Sequence, residues 1–154
     1  MEECLGRLLL QKKYTLALAE SCTGGLISRR ITAIGGSSAY YLGGAVTYAN
    51  EAKINFLGVD PSTLEKHGAV SEQTALEMSR GIRKRTGASI ALSVTGIAGP
   101  SGGSSDKPVG TVWMSIARAG GHEARLFQFH GDRDRIISGA SQAGLNWLRT
   151  TLLA

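Results

Sequence analysis

The chain is poor in the residues that build covalent or metal frameworks. It has two cysteines, Cys4 and Cys22, and three histidines in 154 residues. Two cysteines make no disulfide framework, and no CxxC or Cys/His pairing has the spacing of a zinc site. A reducing compartment and a protein with no metal and no cofactor are therefore expected. No apolar run approaches the ~20 residues that cross a bilayer, and the opening Met1-Glu2-Glu3 lacks the basic flank and apolar core of a signal peptide. These absences predict a cytoplasmic location and no membrane partner.

Glycine, in contrast, is abundant, at 21 residues in a composition that is 42% hydrophobic and 19% charged. Such a chain folds, and its glycines mark tight turns rather than disorder. Its length suits one core and is too short for two, so a single domain over 1–154 is expected. Seventeen Lys and Arg against twelve Asp and Glu leave a net charge of +5, which fits an anionic partner such as a phosphate. The densest basic run, residues 80–85, falls at the end of a predicted helix, where cations complement the dipole. It reads as a solvated helix end, and no nucleic-acid partner is expected.

Periodicity predicts a helix over 4–11, a buried strand over 15–19 and a helix over 26–34, so residues 20–25 form a strand-to-helix turn. A second strand is expected over 44–48, then a short helix capped by Asn50 and another opened by Pro61. Ser71 caps a helix over 72–86 that Gly87 ends. A strand over 89–95 leads into a loop thick with Gly, Ser and Pro. Strands over 111–117 and 124–129 pair through a turn at Gly120-Gly121, and Asp132 caps a last helix. Alternating strands and helices with one hairpin predict an α/β fold: a three-layer α/β/α sandwich on a mixed sheet of about five strands. Sites in such folds lie off the carboxyl ends of strands, here near residues 20–21, 48–53 and 95–99.

Ser21 lies in the turn before a helix, where the N–H groups of Cys22, Thr23, Gly24 and Gly25 can face a developing oxyanion. Ser21 or Thr23 as a plain helix cap fits the same residues. Cys22 is a rival nucleophile, or a small buried hydrophobe. No histidine forms an evident triad with Ser21, and Lys53 is the next candidate base. Its place in the first turn of a helix disfavours an ammonium, and burial there would free a neutral amine, with Tyr48 orienting it. The alternative is an exposed Lys53 and a core Tyr48. Residues 95–105, including Thr95, Gly96 and Gly99, offer N–H groups and hydroxyls to a phosphate or carbonyl oxygen, or else form a mobile loop without the P-loop pattern. Arg133 and Arg135 sit where a helix dipole opposes cations, which an anionic ligand or pairing with Asp132 and Asp134 explains.

Six ordered blocks carry a family resemblance: Ala19-Glu20-Ser21-Cys22-Thr23-Gly24-Gly25, residues 46–53, residues 67–71, Thr95-Gly96-Ile97-Ala98-Gly99-Pro100, residues 107–113, and Gly131-Asp132-Arg133-Asp134-Arg135. Together they resemble the CinA C-terminal domain family, from about Leu5 onward. The resemblance implies a Ser/Lys nicotinamide mononucleotide deamidase on an α/β/α sandwich, with Ser21 as nucleophile, Lys53 as base and Tyr48 beside it. It further implies binding roles for the Thr95 block and the Arg133–Arg135 turn, and a homodimer. Many relatives carry another N-terminal domain, whose pyrophosphatase activity is not expected here. Competing readings are a non-catalytic nucleotide-binding module linked to competence or DNA damage, and an amidase for a different pyridine amide.

Overall fold

The computed structural model describes residues 1–154. Strand β1 (Leu16–Glu20) is buried along its whole length, so helices must cover both of its faces. Alternation along the strand sends Leu16 and Leu18 into one core and Ala17 and Ala19 into another. Helices α1 (Glu2–Lys12), α2 (Leu26–Thr32) and α6 (Arg133–Leu153) close the first core. Helices α3 (Asn50–Leu57), α4 (Pro61–His67) and α5 (Glu72–Thr86) close the second. Between them lie β1 and strands β2 (Tyr41–Val46), β3 (Ile90–Gly96), β4 (Thr111–Arg118) and β5 (Gly121–Gln128), in the order β2-β1-β3-β4-β5. The architecture is the expected α/β/α sandwich on a mixed five-stranded sheet.

Strands β2, β1 and β3 run parallel, and β4 and β5 return antiparallel through a two-residue turn. Glu20, at the end of β1, pairs with Val46 on one side and Val94 on the other. The carboxyl ends of the three parallel strands are thus level, and the segments that leave them share one edge of the molecule.

Four local expectations need correction. The last strand begins at Gly121 and not at residue 124, and ends at Gln128, so the turn before it is residues 119–120. The second strand begins at Tyr41, not Gly44, and ends at Val46. Gly43 and Gly44 pair with Ala17 and Leu18, because the parallel ladder to β1 outweighs the low strand propensity of glycine. Thr47 and Tyr48 fall outside it, and their carbonyls turn to the Lys53 Nζ instead. Asn50 does not cap α3. Ala49 occupies the cap position with no side-chain hydrogen bond, and Asn50 is the first helical residue. The second helix stops at Thr32. The caps at Ser71 and Asp132 form as expected, each accepting a backbone N–H three residues on.

Candidate active site

The turn after β1 is organised by Glu20, a residue that sequence reasoning passed over. Glu20 continues the Leu16, Leu18 alternation and so points under α2. Its buried carboxylate accepts from the Thr23 hydroxyl at 2.7 Å and from the N–H groups of Gly25 and Ile27 at 3.2 and 3.0 Å. The other oxygen accepts from the Ser28 N–H and hydroxyl at 2.7 and 2.6 Å. Glu20 therefore does the work of a helix cap from beneath, while the cap position itself holds Gly25 at φ 96°, with no side-chain hydrogen bond. The capping role open to Ser21 or Thr23 is thereby taken. The legible signal was a lone acid ending an otherwise apolar strand, since a buried carboxylate must find donors.

Ser21 points to the opposite side of the sheet, toward α3. Its only side-chain partner is Lys53 Nζ, at 3.1 Å. Lys53 is fully buried, and its other two contacts are the carbonyls of Thr47 at 2.8 Å and Tyr48 at 3.2 Å. It has no carboxylate partner. Burial holds the Lys53 pKa below its ordinary value. Two carbonyls can take the two N–H bonds of a neutral amine, which leaves the lone pair for the Ser21 hydroxyl. Cys22 is also buried, and burial pushes its thiol up to about 12. It stays protonated near pH 7, a poor nucleophile.

A cleft of about 190 Å³ opens on this pair, lined by Ser21, Lys53, Cys22, Tyr48, Thr95 and Arg133 among others. Gly96, Ala98 and the Ala69-Val70 pair complete it. Thr95 is buried and spends its hydroxyl on the Ala69 carbonyl at 2.8 Å, so it fixes the loop before α5 as one wall. Tyr48 is 59% exposed, and it is its carbonyl that meets Lys53. Its hydroxyl instead accepts from Arg133 at 2.7 Å. The same guanidinium donates to the Gly99 carbonyl at 2.7 Å, bridging two sides of the cleft mouth with no carboxylate partner.

Other residues named from sequence lie elsewhere. Arg135 is outside the cleft, with its guanidinium toward Asp132 at 4.0 Å. Thr23 and Gly25 serve Glu20, and the Gly24 N–H donates to the Ser21 carbonyl. In the turn, the N–H groups of Cys22 and Thr23 have no protein acceptor, whereas that of Ser21 donates to Val94. No three His, Cys, Asp or Glu residues stand close enough together to share a metal ion, and no helix is long and apolar enough to cross a membrane.

Comparison with known proteins gives a consistent answer. The model of the CinA C-terminal domain matches residues 1–152. A CinA-like protein of Geotalea daltonii is 59% identical over 140 residues, covering 91% of this chain and 34% of that protein. One from Geobacter metallireducens is 52% identical over 154 residues, covering 100% of this chain and 37% of its own length. The chain thus spans about a third of the length of the curated relatives it matches. Among solved structures, a competence damage-inducible protein A from Klebsiella pneumoniae superposes with a TM-score of 0.96 at 39% identity, covering 99% of this chain and 94% of that one. A competence/damage inducible protein from Agrobacterium tumefaciens gives 0.91 at 42% identity, with 99% and 95% covered.

Proposed function

The chain belongs to the CinA C-terminal domain family, and from that premise we propose that it is a metal-independent serine amidohydrolase that deamidates nicotinamide mononucleotide. The observation that carries this reading is the buried Lys53 amine, without a carboxylate partner, 3.1 Å from the Ser21 hydroxyl. A neutral amine in that position is a general base with one proton to take.

Ser21 Oγ attacks the carboxamide carbon as Lys53 removes its proton. The carbonyl oxygen becomes an oxyanion, for which the N–H groups of Cys22 and Thr23 are the free donors of the turn. Lys53 then returns the proton to the amide nitrogen and ammonia leaves, which forms a nicotinoyl ester on Ser21. Water, deprotonated by Lys53, hydrolyses that ester to nicotinate mononucleotide. The cleft, at about 190 Å³, is smaller than the roughly 300–1,000 Å³ of sites that enclose a drug-sized ligand. It suits the pyridine end alone. The ribose and phosphate would then lie at the mouth, where the Arg133 guanidinium has only neutral oxygens as partners.

The test is ammonia release from nicotinamide mononucleotide, with nicotinamide and NAD alongside. Turnover of the mononucleotide is expected, lost in both Ser21→Ala and Lys53→Arg, because a guanidinium does not deprotonate near neutral pH. Turnover of free nicotinamide at an equal kcat/KM would replace this reading with a broader pyridine amidase. Mononucleotide binding without ammonia release would leave a non-catalytic nucleotide module.

A further inference from the structure

We propose that Glu20 is a positioning residue of this site: its buried carboxylate takes over the amino end of α2 so that the Ser21 hydroxyl and the Cys22 and Thr23 N–H groups remain free for chemistry. The inference rests on the reading of Ser21 as nucleophile and adds a residue that touches neither substrate nor reacting atoms.

The geometry carries it in three steps. A helix that follows a strand through a Ser-Cys-Thr turn ordinarily satisfies its first N–H groups with a serine or threonine hydroxyl. A capping Ser21 would aim its hydroxyl at backbone donors and withhold it from Lys53. Here the donors of Gly25, Ile27 and Ser28 all go to the two Glu20 oxygens, and so does the Thr23 hydroxyl. The Gly24 and Leu26 N–H groups donate to the Ser21 and Thr23 carbonyls, which leaves the N–H groups of Cys22 and Thr23 without a protein acceptor and the Ser21 hydroxyl to Lys53.

Strand alternation makes the division possible. Glu20 faces the α2 side and Ser21 the α3 side, so consecutive residues hold the helix and present the nucleophile without competing. The carboxylate is itself fixed in place. Tyr41 donates to Ser28 Oγ at 2.8 Å, so the one Ser28 hydroxyl proton is committed to Glu20 at 2.6 Å. Burial and the nearby Glu20 charge keep the Tyr41 hydroxyl protonated, as a donor in this relay must be.

Glutamine has the size of glutamate and half of its acceptors. In either orientation its NH2 group would meet N–H and O–H donors, at Ser28 or at Thr23, Gly25 and Ile27. The turn must then rearrange, and Ser21 becomes the nearest substitute cap. Glu20→Gln is therefore expected to fold and to lose Ser21 reactivity, by about 100-fold if the hydroxyl moves by an ångström.

The experiment measures two rates on the full chain: covalent labelling of Ser21 by a fluorophosphonate, and deamidation of nicotinamide mononucleotide. Circular dichroism and Tm report folding. In Glu20→Gln, labelling and kcat should fall together while KM holds, since Glu20 does not line the cleft. Glu20→Asp, which keeps both carboxylate oxygens as acceptors, should recover part of the labelling rate. Ser28→Ala removes one donor without touching the carboxylate and should slow labelling several-fold, which keeps the test alive if Glu20→Gln does not fold. Labelling at the wild-type rate in folded Glu20→Gln, or in Ser28→Ala, overturns the proposal. If the wild type labels in a Glu20-dependent way yet releases no ammonia, the assigned substrate fails and the positioning role stands.

Discussion

Lys53 is held where an ammonium is hard to keep: fully buried, near a helix amino end, with two carbonyls and one hydroxyl as its only partners. Its native pKa is lowered from 10.5, so kcat/KM should rise with pH along a limb centred below that value, measured with nicotinamide mononucleotide. A limb at the ordinary lysine value, or none, would remove Lys53 as the base. The same shift bears on stability. Between the lowered native pKa and the unfolded value the native state binds fewer protons than the unfolded one, so this group's contribution rises with pH across that window. Below the window a charged amine must stay buried, and above it neither state is charged. Lys53→Met removes the titration. Its Tm relative to wild type should therefore be highest below that window and decline as pH rises through it toward the unfolded value. A difference in Tm independent of pH would mean that Lys53 titrates alike in both states.

Helix α3 presents Lys53 only because it lies close against α5. A Cβ on Gly81 would stand 1.8 Å from the Leu57 carbonyl oxygen, a contact that backbone movement alone can relieve. Gly81→Ala should thus push α3 away from α5, lower stability by about 1–3 kcal/mol as overpacking does, and reduce kcat by displacing Nζ from Ser21. Urea melts and kinetics of this one variant check both effects, and full activity would show that α3 is not positioned by this contact. Gly81 also illustrates what sequence reveals and what it conceals. The helix over 72–86 was legible to the residue because Ser71, an apolar stripe and Gly87 bracket it. That its glycine serves a close crossing was not, since nothing local to α5 names the partner. Likewise Ser21 and Lys53 stood out by their positions at helix starts, whereas the cap that frees Ser21 comes from Glu20 on the strand before it. Arg135 shows the opposite error: it shares the first turn of α6 with Arg133, but only Arg133 faces the cleft.

On the scale of the whole molecule, the site draws on five stretches that the sheet brings together: the end of β1, the segment from the end of β2 into α3, the loop before α5, the end of β3, and the start of α6. None of these holds its geometry alone. Ser21 is fixed through its N–H to Val94 in β3, Lys53 through the carbonyls that follow β2, and Arg133 through Tyr48 and Gly99. Helix α6 in turn is anchored by Ile136, Ala140, Trp147 and Leu148 in the larger core, which β1, β3 and β4 also line. Such an arrangement ties the site to the cooperative unit rather than to a detachable loop. In urea, the proposed deamidase activity, far-UV ellipticity and the fluorescence of the tryptophans should be lost with one midpoint. Activity lost well before ellipticity would mean that one of these stretches opens on its own. The start of α6 is the place to look, because Arg133 crosses to the cleft through just two hydrogen bonds. Arg133→Ala distinguishes the cases: if the transitions coincide in the wild type, this variant should raise KM for the mononucleotide while leaving the common midpoint almost unmoved.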